Sequence, residues 1–225
     1  MKYVILIPIY NDRQSLKLLI ENINQEIKDS NSEISIVVIN DASSQQIIDE
    51  YLNVENIHSI EILNMKQNRG HARCIASGLK YIHEKKEYDF IIPMDGDGED
   101  RPEEIKNFIE ISKQSGDRSI VGERIKREES IFFKICYQFH KFLTFAFTGK
   151  SIKFGNFTCL SKATVKKMLD EKATWNSFSG SLKKIEKDLI SSPSIRGKRY
   201  FGPSQMSFFK LLKHSLSITK LKVVR

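Results

Sequence analysis

The chain has 225 residues, 40% of them hydrophobic, which is enough apolar material to fill the core of one sizeable α/β domain and excludes a disordered chain. Three cysteines, Cys74, Cys136 and Cys159, lie far apart with no Cys-x-x-Cys or His-rich spacing, which argues against a zinc site and fits reduced thiols in the cytosol. The formal net charge of +8 is a C-terminal property, because residues 183–225 hold eleven Lys or Arg against two acids and the rest is nearly balanced; such an end suits nucleic acid, anionic lipid, a phosphorylated substrate or plain solvation.

The start, Met1 to Pro8, carries one positive charge and an apolar run too short for a signal peptide, and no segment reaches the roughly 20 apolar residues of a membrane span. Tyr3–Ile9 is predicted to be a buried strand. Ser15–Ile27 follows as a helix, since Leu16, Leu19, Ile20, Ile23 and Ile27 recur near helical spacing. Ile34–Ile39 reads as a second strand, Ile47–Leu52 as helical, Ser59–Met65 as a third strand, Arg73–Lys85 as a helix and Phe90–Met94 as a fourth strand. Strands alternating with helices predict a parallel, doubly wound sheet with helices on both faces. Ligands of such sheets bind beyond the carboxyl ends of the strands, and Asn11-Asp12, Asn40-Asp41, Asn68-Arg69-Gly70 and Asp95-Gly96-Asp97 all fall there.

The last of these turns closes the run Phe90 to Asp100, which places carboxylates at the end of a short apolar segment. Hard divalent ions take oxygen ligands and keep positions open for substrate phosphates, so Asp95 and Asp97 could hold Mg²⁺ or Mn²⁺ against a diphosphate. Gly96 between them would let the backbone come close. Asp and Gly are also ordinary turn residues, so the motif by itself leaves an acidic surface turn open.

Pro102–Ser112 reads as a helix, with Pro102 suited to its first turn and Glu103 and Glu104 to its positive end. Ser119–Gly122 is a short strand. Ile131–Thr148 reads as an amphipathic helix, packed on the sheet or against a membrane surface, rich in Phe with Lys134, Gln138 and Lys141 as a narrow polar stripe. The segment Met206–Arg225 interleaves Phe and Leu with Lys, a composition suited to an anionic membrane surface. His71, His140 and His214 have no second ligand at metal spacing and read as packing or surface residues. Trp175, the only tryptophan, reads first as a core anchor and second as a wall of a substrate site.

In order and spacing, Ile7-Pro8-Ile9-Tyr10-Asn11-Asp12, Asn40-Asp41-Ala42-Ser43, Asn68-Arg69-Gly70 and Asp95-Gly96-Asp97 resemble the inverting family 2 glycosyltransferases with a GT-A fold. Three later features make the chain most similar to the polyprenol-phosphate group of that family, the dolichol-phosphate mannose synthase-like enzymes. Met94–Glu103 resembles their acidic metal motif, Val121-Gly122-Glu123-Arg124 their Gly-x-Arg strand end, and Arg199-Tyr200-Phe201-Gly202-Pro203-Ser204-Gln205 their Arg-x-x-Gly-x-Ser-Lys motif.

The resemblance implies a GT-A domain over 1–205 and a basic amphipathic helical segment over 206–225. It implies that Pro8, Tyr10, Asp12, Ile39 and Asp41 line the base and ribose of a nucleotide-sugar donor, with Asp41 accepting from the base. Asp95, Asp97 and Glu99 would hold the metal, Gly96 would lie against the donor, and Arg124 and Arg199 would face phosphates. On this reading Asp95, Asp97, Arg124 and Arg199 carry catalysis, and Gln205 stands where the motif has Lys. Asn156, in Gly155-Asn156-Phe157-Thr158-Cys159-Leu160, stands where the group commonly has an Asp assigned to the acceptor. The implied reaction is transfer of a sugar, with inversion, to a polyprenyl phosphate by an enzyme peripheral at the cytoplasmic face of the membrane.

Other readings keep different chemistry. A glycan hydroxyl acceptor would need a general base, which an Asn cannot be. Nucleotidyl transfer is disfavoured by the absence of a Gly-rich, Lys-containing loop near the first strand. A non-catalytic nucleotide-binding module also stays open. Nucleic acid is disfavoured as a partner because the aromatics cluster at helical spacing instead of spreading over a groove. The sequence sets no oligomeric state.

Overall fold

Every residue from Tyr3 to Ile9 of strand β1 (Lys2–Ile9) is buried. Successive side chains on a strand point to opposite faces, so Tyr3, Ile5, Ile7 and Ile9 join one apolar layer while Val4 and Leu6 join another. Burial on both faces is the signature of a strand inside a parallel sheet. The structure, a computed structural model, describes residues 1–45, 54–126 and 153–202. The expected helices at 47–52 and 131–148, the segment 206–225, Gln205, Cys136, His140 and His214 lie outside the described residues.

Among the described residues seven strands form one sheet: β1, β2 (Glu33–Asn40), β3 (Ser59–Asn64), β4 (Phe90–Pro93), β5 (Ile120–Lys126), β6 (Phe154–Ser161) and β7 (Ile190–Ile195), in the spatial order β3-β2-β1-β4-β6-β5-β7. Strands β1 to β4 run parallel to their neighbours within that group, β6 runs antiparallel to both β4 and β5, and β7 is parallel to β5. The carboxyl ends of β1, β2, β3 and β4 therefore share one edge.

Helix α1 (Arg13–Glu26) and helix α3 (Ile105–Ser115) cover the face of Ile5 and Ile7, contributing Leu16, Leu19, Ile20 and Ile23 from the first and Ile105, Phe108 and Ile109 from the second. The opposite face is covered by α2 (His71–Lys85), α4 (Lys162–Asp170) and α5 (Phe178–Ile185), through Ile75, Leu79 and Ile82, then Val165 and Met168, then Phe178 and Leu182. A 3₁₀ turn at Lys172–Trp175 lies between α4 and α5. Among the described residues no helix is long and apolar enough to cross a membrane.

Apart from the helix at 47–52, which lies outside the described residues, the expected elements up to Gly122 are found, with moved ends. Helix α1 starts two residues early because Asp12 takes the cap position and accepts from the Ser15 N–H. The expected helix at 102–112 is a 3₁₀ turn at Pro102–Glu104 leading into α3, which runs to Ser115 and stops at Gly116 with φ +60. Strands β6 and β7 carry no strand signal in the sequence pattern. Phe154–Ser161 carries Gly155, Asn156 and Thr158, and Ile190–Ile195 reads Ile-Ser-Ser-Pro-Ser-Ile, so neither shows a clean apolar pattern. β7 is a terminal strand of the sheet order, where a Pro is tolerated.

Candidate active site

The four polar turns at the shared edge are tied to one another. Asn11 Oδ1 accepts from the Ser44 N–H at 2.8 Å, and the Asn11 N–H donates to Ser43 Oγ at 2.8 Å. The Asp41 carboxylate accepts from the backbone N–H of Arg69 at 2.7 Å and of Gly70 at 2.8 Å. Asn40 holds Asn64 through its amide at 2.7 Å. Asn11 and Ala42 sit at φ 49 and φ 56, a left-handed backbone that L-residues avoid, so the edge carries local strain of about 1 kcal/mol or more at each.

The turn after β4 lies beside the turn after β1. A Cβ added at Gly96 would stand 3.2 Å from the Pro8 carbonyl oxygen, so any side chain there would push the two turns apart by a few tenths of an ångström. Asp95 projects toward α2 and β6. Its Oδ1 lies 3.2 Å from His71 Nε2 and 3.4 Å from the Asn156 amide nitrogen, which is itself 2.7 Å from His71 Nε2. The Asp95 N–H donates to the buried carboxylate of Asp100 at 2.8 Å.

Asp97 projects toward the chain that follows β7. Its Oδ1 accepts from the Glu99 N–H at 2.9 Å, and its Oδ2 accepts from Arg199 Nη1 at 2.5 Å. The other end of that guanidinium reaches Asp12 Oδ2 at 3.5 Å, and its Nε is buried without a partner. Arg199 thus bridges the turns after β1 and β4. The Glu99 carboxylate is paired with Arg196. The Gly197 N–H donates to the Glu99 carbonyl at 2.8 Å and the Tyr200 N–H to the Asp97 carbonyl at 2.9 Å, so residues 196–200 form a strap along the acidic turn.

Burial disfavours the charged form of Asp95, yet His71, Arg196 and the Asn156 amide outweigh it and hold its carboxyl below the usual range. Asp97 is pushed up to about 6, by burial first and then by the charge of Asp95. Asp100 is pushed up as well, again by burial and then by Asp95. His71 is raised, because its two favourable contacts with Asp95 overcome the opposing effect of burial. Asp97 and Asp100, which protonate this readily beside the charged Asp95, are short of positive charge, and the carboxylates here offer only hard oxygen donors. These residues fit a divalent cation such as Mg²⁺ or Mn²⁺. Among the described residues no three His, Cys, Asp or Glu side chains already stand in metal-holding geometry.

Of the residues expected from sequence, Asp12, Asp95, Gly96, Asp97 and Arg199 are brought together, with Pro8 beneath Gly96 and Tyr10 exposed at the rim. Glu99 faces Arg196. Asp41 is at the edge, with its carboxylate engaged by backbone. Ile39 is buried in the core against α2, not presented to solvent. Arg124 packs over Gly155 and acts electrostatically on Asp100. His71 corrects the reading of it as a packing or surface residue, since its ring touches Asp95. Its signal was position: it directly follows Asn68-Arg69-Gly70 and opens α2. Trp175 is half-buried, not a core anchor.

A parallel sheet with helices on both faces and an acidic turn at its ligand edge is the frame of a GT-A fold. The chain belongs to glycosyl transferase family 2, whose family model matches residues 4–173. It is 30% identical over 94% of its length to an undecaprenyl-phosphate 4-deoxy-4-formamido-L-arabinose transferase of Photorhabdus laumondii and spans 65% of that relative. Among solved structures it is similar in fold to S. aureus TarS 1-349 in complex with UDP-GlcNAc, at TM-score 0.54 and 14% identity, covering 100% of this chain and 68% of that one. It is also similar to a mannosyltransferase from Pyrobaculum calidifontis in complex with GDP-Man and Mn²⁺, at TM-score 0.54 and 14% identity, covering 85% of this chain and 54% of that one.

Proposed function

We propose that the chain transfers a sugar, with inversion, from a nucleotide-diphosphate sugar to a polyprenyl phosphate at a membrane surface. The observation that carries this reading is the half-buried Asp95 and Asp97 pair at the strand edge, Asp97 bridged through Arg199 to Asp12, in a family 2 chain. The fold neighbours with UDP-GlcNAc and with GDP-Man and Mn²⁺ support the donor class, and the relative that acts on undecaprenyl phosphate supports the acceptor.

Asp95 and Asp97 would hold Mg²⁺ or Mn²⁺, which when bound offsets the charge on the departing diphosphate. Arg199 supplies a second positive group beside the acidic turn. Tyr10, exposed at the rim, offers a flat face to the base. His71 and Asn156 fix the orientation of Asp95. Asn156 cannot take a proton, which favours a phosphate acceptor, already an anion near neutral pH, over a sugar hydroxyl. Donor inversion by one in-line displacement then needs no base. The basic composition of 206–225 suits the peripheral membrane location in which a lipid-linked acceptor would be met.

A thermal-shift series with UDP, GDP, CDP and dTDP, each with and without Mn²⁺, tests the donor half, because a ligand that binds only the folded state raises its apparent stability. One nucleotide should raise Tm in a Mn²⁺-dependent way. Asp97→Ala and Asp95→Ala should each lower sugar transfer to undecaprenyl phosphate by at least about a hundredfold, in line with loss of one electrostatic group. Turnover within tenfold of wild type in either variant would overturn the assignment.

A further inference from the structure

Away from the acidic turn, a cleft of about 390 Å³ opens between the turn after β3, the outer face of α2 and the 3₁₀ turn at Lys172–Trp175, lined by Met65, Arg69, Arg73, Ser77 and Trp175. Its size falls in the range of small-molecule sites. Arg73 and Ser77 are one helical turn apart on α2 and share a face. Arg69 stands just ahead of that helix, where its backbone N–H is fixed by Asp41. Its guanidinium Nε is supported by the Gln67 amide oxygen at 2.8 Å, in the orientation of that amide that satisfies both groups. Arg73 is exposed, and among the described residues no carboxylate is paired with either guanidinium. None of the five lining residues is acidic.

Two unneutralised guanidiniums on one wall, with a half-buried indole and a thioether on the others, form a combination with a definite complement. The guanidinium fork matches phosphate oxygens, and two forks match a dianion better than a monoanion such as a carboxylate. The positive N-terminal end of α2, whose first turn includes Arg73, favours the same sign of charge. The Trp175 indole supplies a flat apolar surface for a ring, and Ser77 a hydroxyl that can donate or accept. We propose that this cleft binds a small ring-bearing phosphate monoester, with its phosphate between Arg69 and Arg73 and its ring against Trp175 and Met65, independently of metal and of Asp95 and Asp97. The site goes beyond the sugar-transfer reading and does not depend on it.

Trp175 is the only tryptophan in the chain, so its fluorescence reports on the cleft directly. Titration with phenyl phosphate, without metal, should give a saturable change. Inorganic phosphate, which lacks the ring, and phenol, which lacks the charge, should each bind at least tenfold more weakly. Arg73→Ala should weaken phenyl phosphate at least tenfold; Arg73 is exposed, and Ala suits a helix, so this variant should fold. Asp97→Ala should leave the titration unchanged, and UDP with Mn²⁺ should not displace phenyl phosphate. A linear response, equal affinity for phosphate alone, or wild-type affinity in Arg73→Ala would overturn the proposal. Loss of binding in Asp97→Ala, or strict competition with UDP, would assign the cleft to the donor pocket and overturn it equally, while leaving the donor assignment standing.

Discussion

Asp97 is ionised at neutral pH against its surroundings. Its carboxyl is pushed up to about 6 by burial and by Asp95, whereas the unfolded chain releases the same proton near 4. The folded, metal-free protein therefore holds a proton that the unfolded chain has lost, and stability falls as pH rises from about 4 through about 6. Asp97→Asn should flatten that fall and raise the metal-free Tm at neutral pH while removing Mn²⁺ binding by calorimetry; a lower Tm would show that the Arg199 contact outweighs the repulsion. Gly98 makes a second prediction. It sits at φ +85, and a Cβ there would lie 2.6 Å from the Tyr200 ring. Gly98→Ala should cost about 1–3 kcal/mol in denaturant unfolding, from left-handed strain and a ring that must move. At this scale the acidic and Arg motifs were legible because their residue types and order are distinctive. The direction in which Glu99 faces was not, because it depends on Arg196, ninety-seven positions away and in no motif.

Helix α2 does two jobs, packing on the sheet with one face and lining a cleft with another. The packing face is tight at Gly78, where a Cβ would stand 2.3 Å from Leu6 Cδ1 and 3.1 Å from Ile39 Cγ1, both fully buried. Gly78→Ala gains up to about 1 kcal/mol in helix propensity but overpacks this contact by about 1–3 kcal/mol. A net loss in chemical unfolding is expected, and a more stable variant would show that Leu6 can repack. The described elements up to β4 are legible because buried parallel strands and amphipathic helices alternate there with strong periods. After Gly122 that signal fades. Thr158 and Ser161 of β6 are buried, their hydroxyls donating to the carbonyls of Asn156 at 3.1 Å and Asp117 at 2.6 Å, so polar residues occupy positions that a pattern search reserves for apolar ones.

Among the described residues there are two apolar layers, one on each side of the sheet, and each contains one free buried thiol: Cys159 in the layer of α1 and α3, Cys74 in the layer of α2, α4 and α5. Burial, and then Asp41 beside it, push the Cys74 thiol up to about 12. The unfolded thiol ionises near 8.5, so the stability this thiol contributes is complete below that value and lost as pH climbs from about 9 toward 12. Both thiols should resist alkylation at pH 8. In a urea series followed by peptide mass mapping they should become reactive with one midpoint, because layers sharing the same strands unfold together. Two midpoints would show that the layers come apart separately.

The strap at 196–200 lies about a hundred positions beyond the turn it closes, and it follows β7, the last described strand. During synthesis the acidic turn leaves the ribosome long before Arg199 does, at about 5–20 residues per second. For several seconds the nascent chain carries Asp95, Asp97 and Asp100 without the guanidinium that bridges Asp97 to Asp12. Assembly of this edge is thereby deferred until β5, β6 and β7 have been made, so the acidic turn reaches its final electrostatic setting only after those strands have been synthesised.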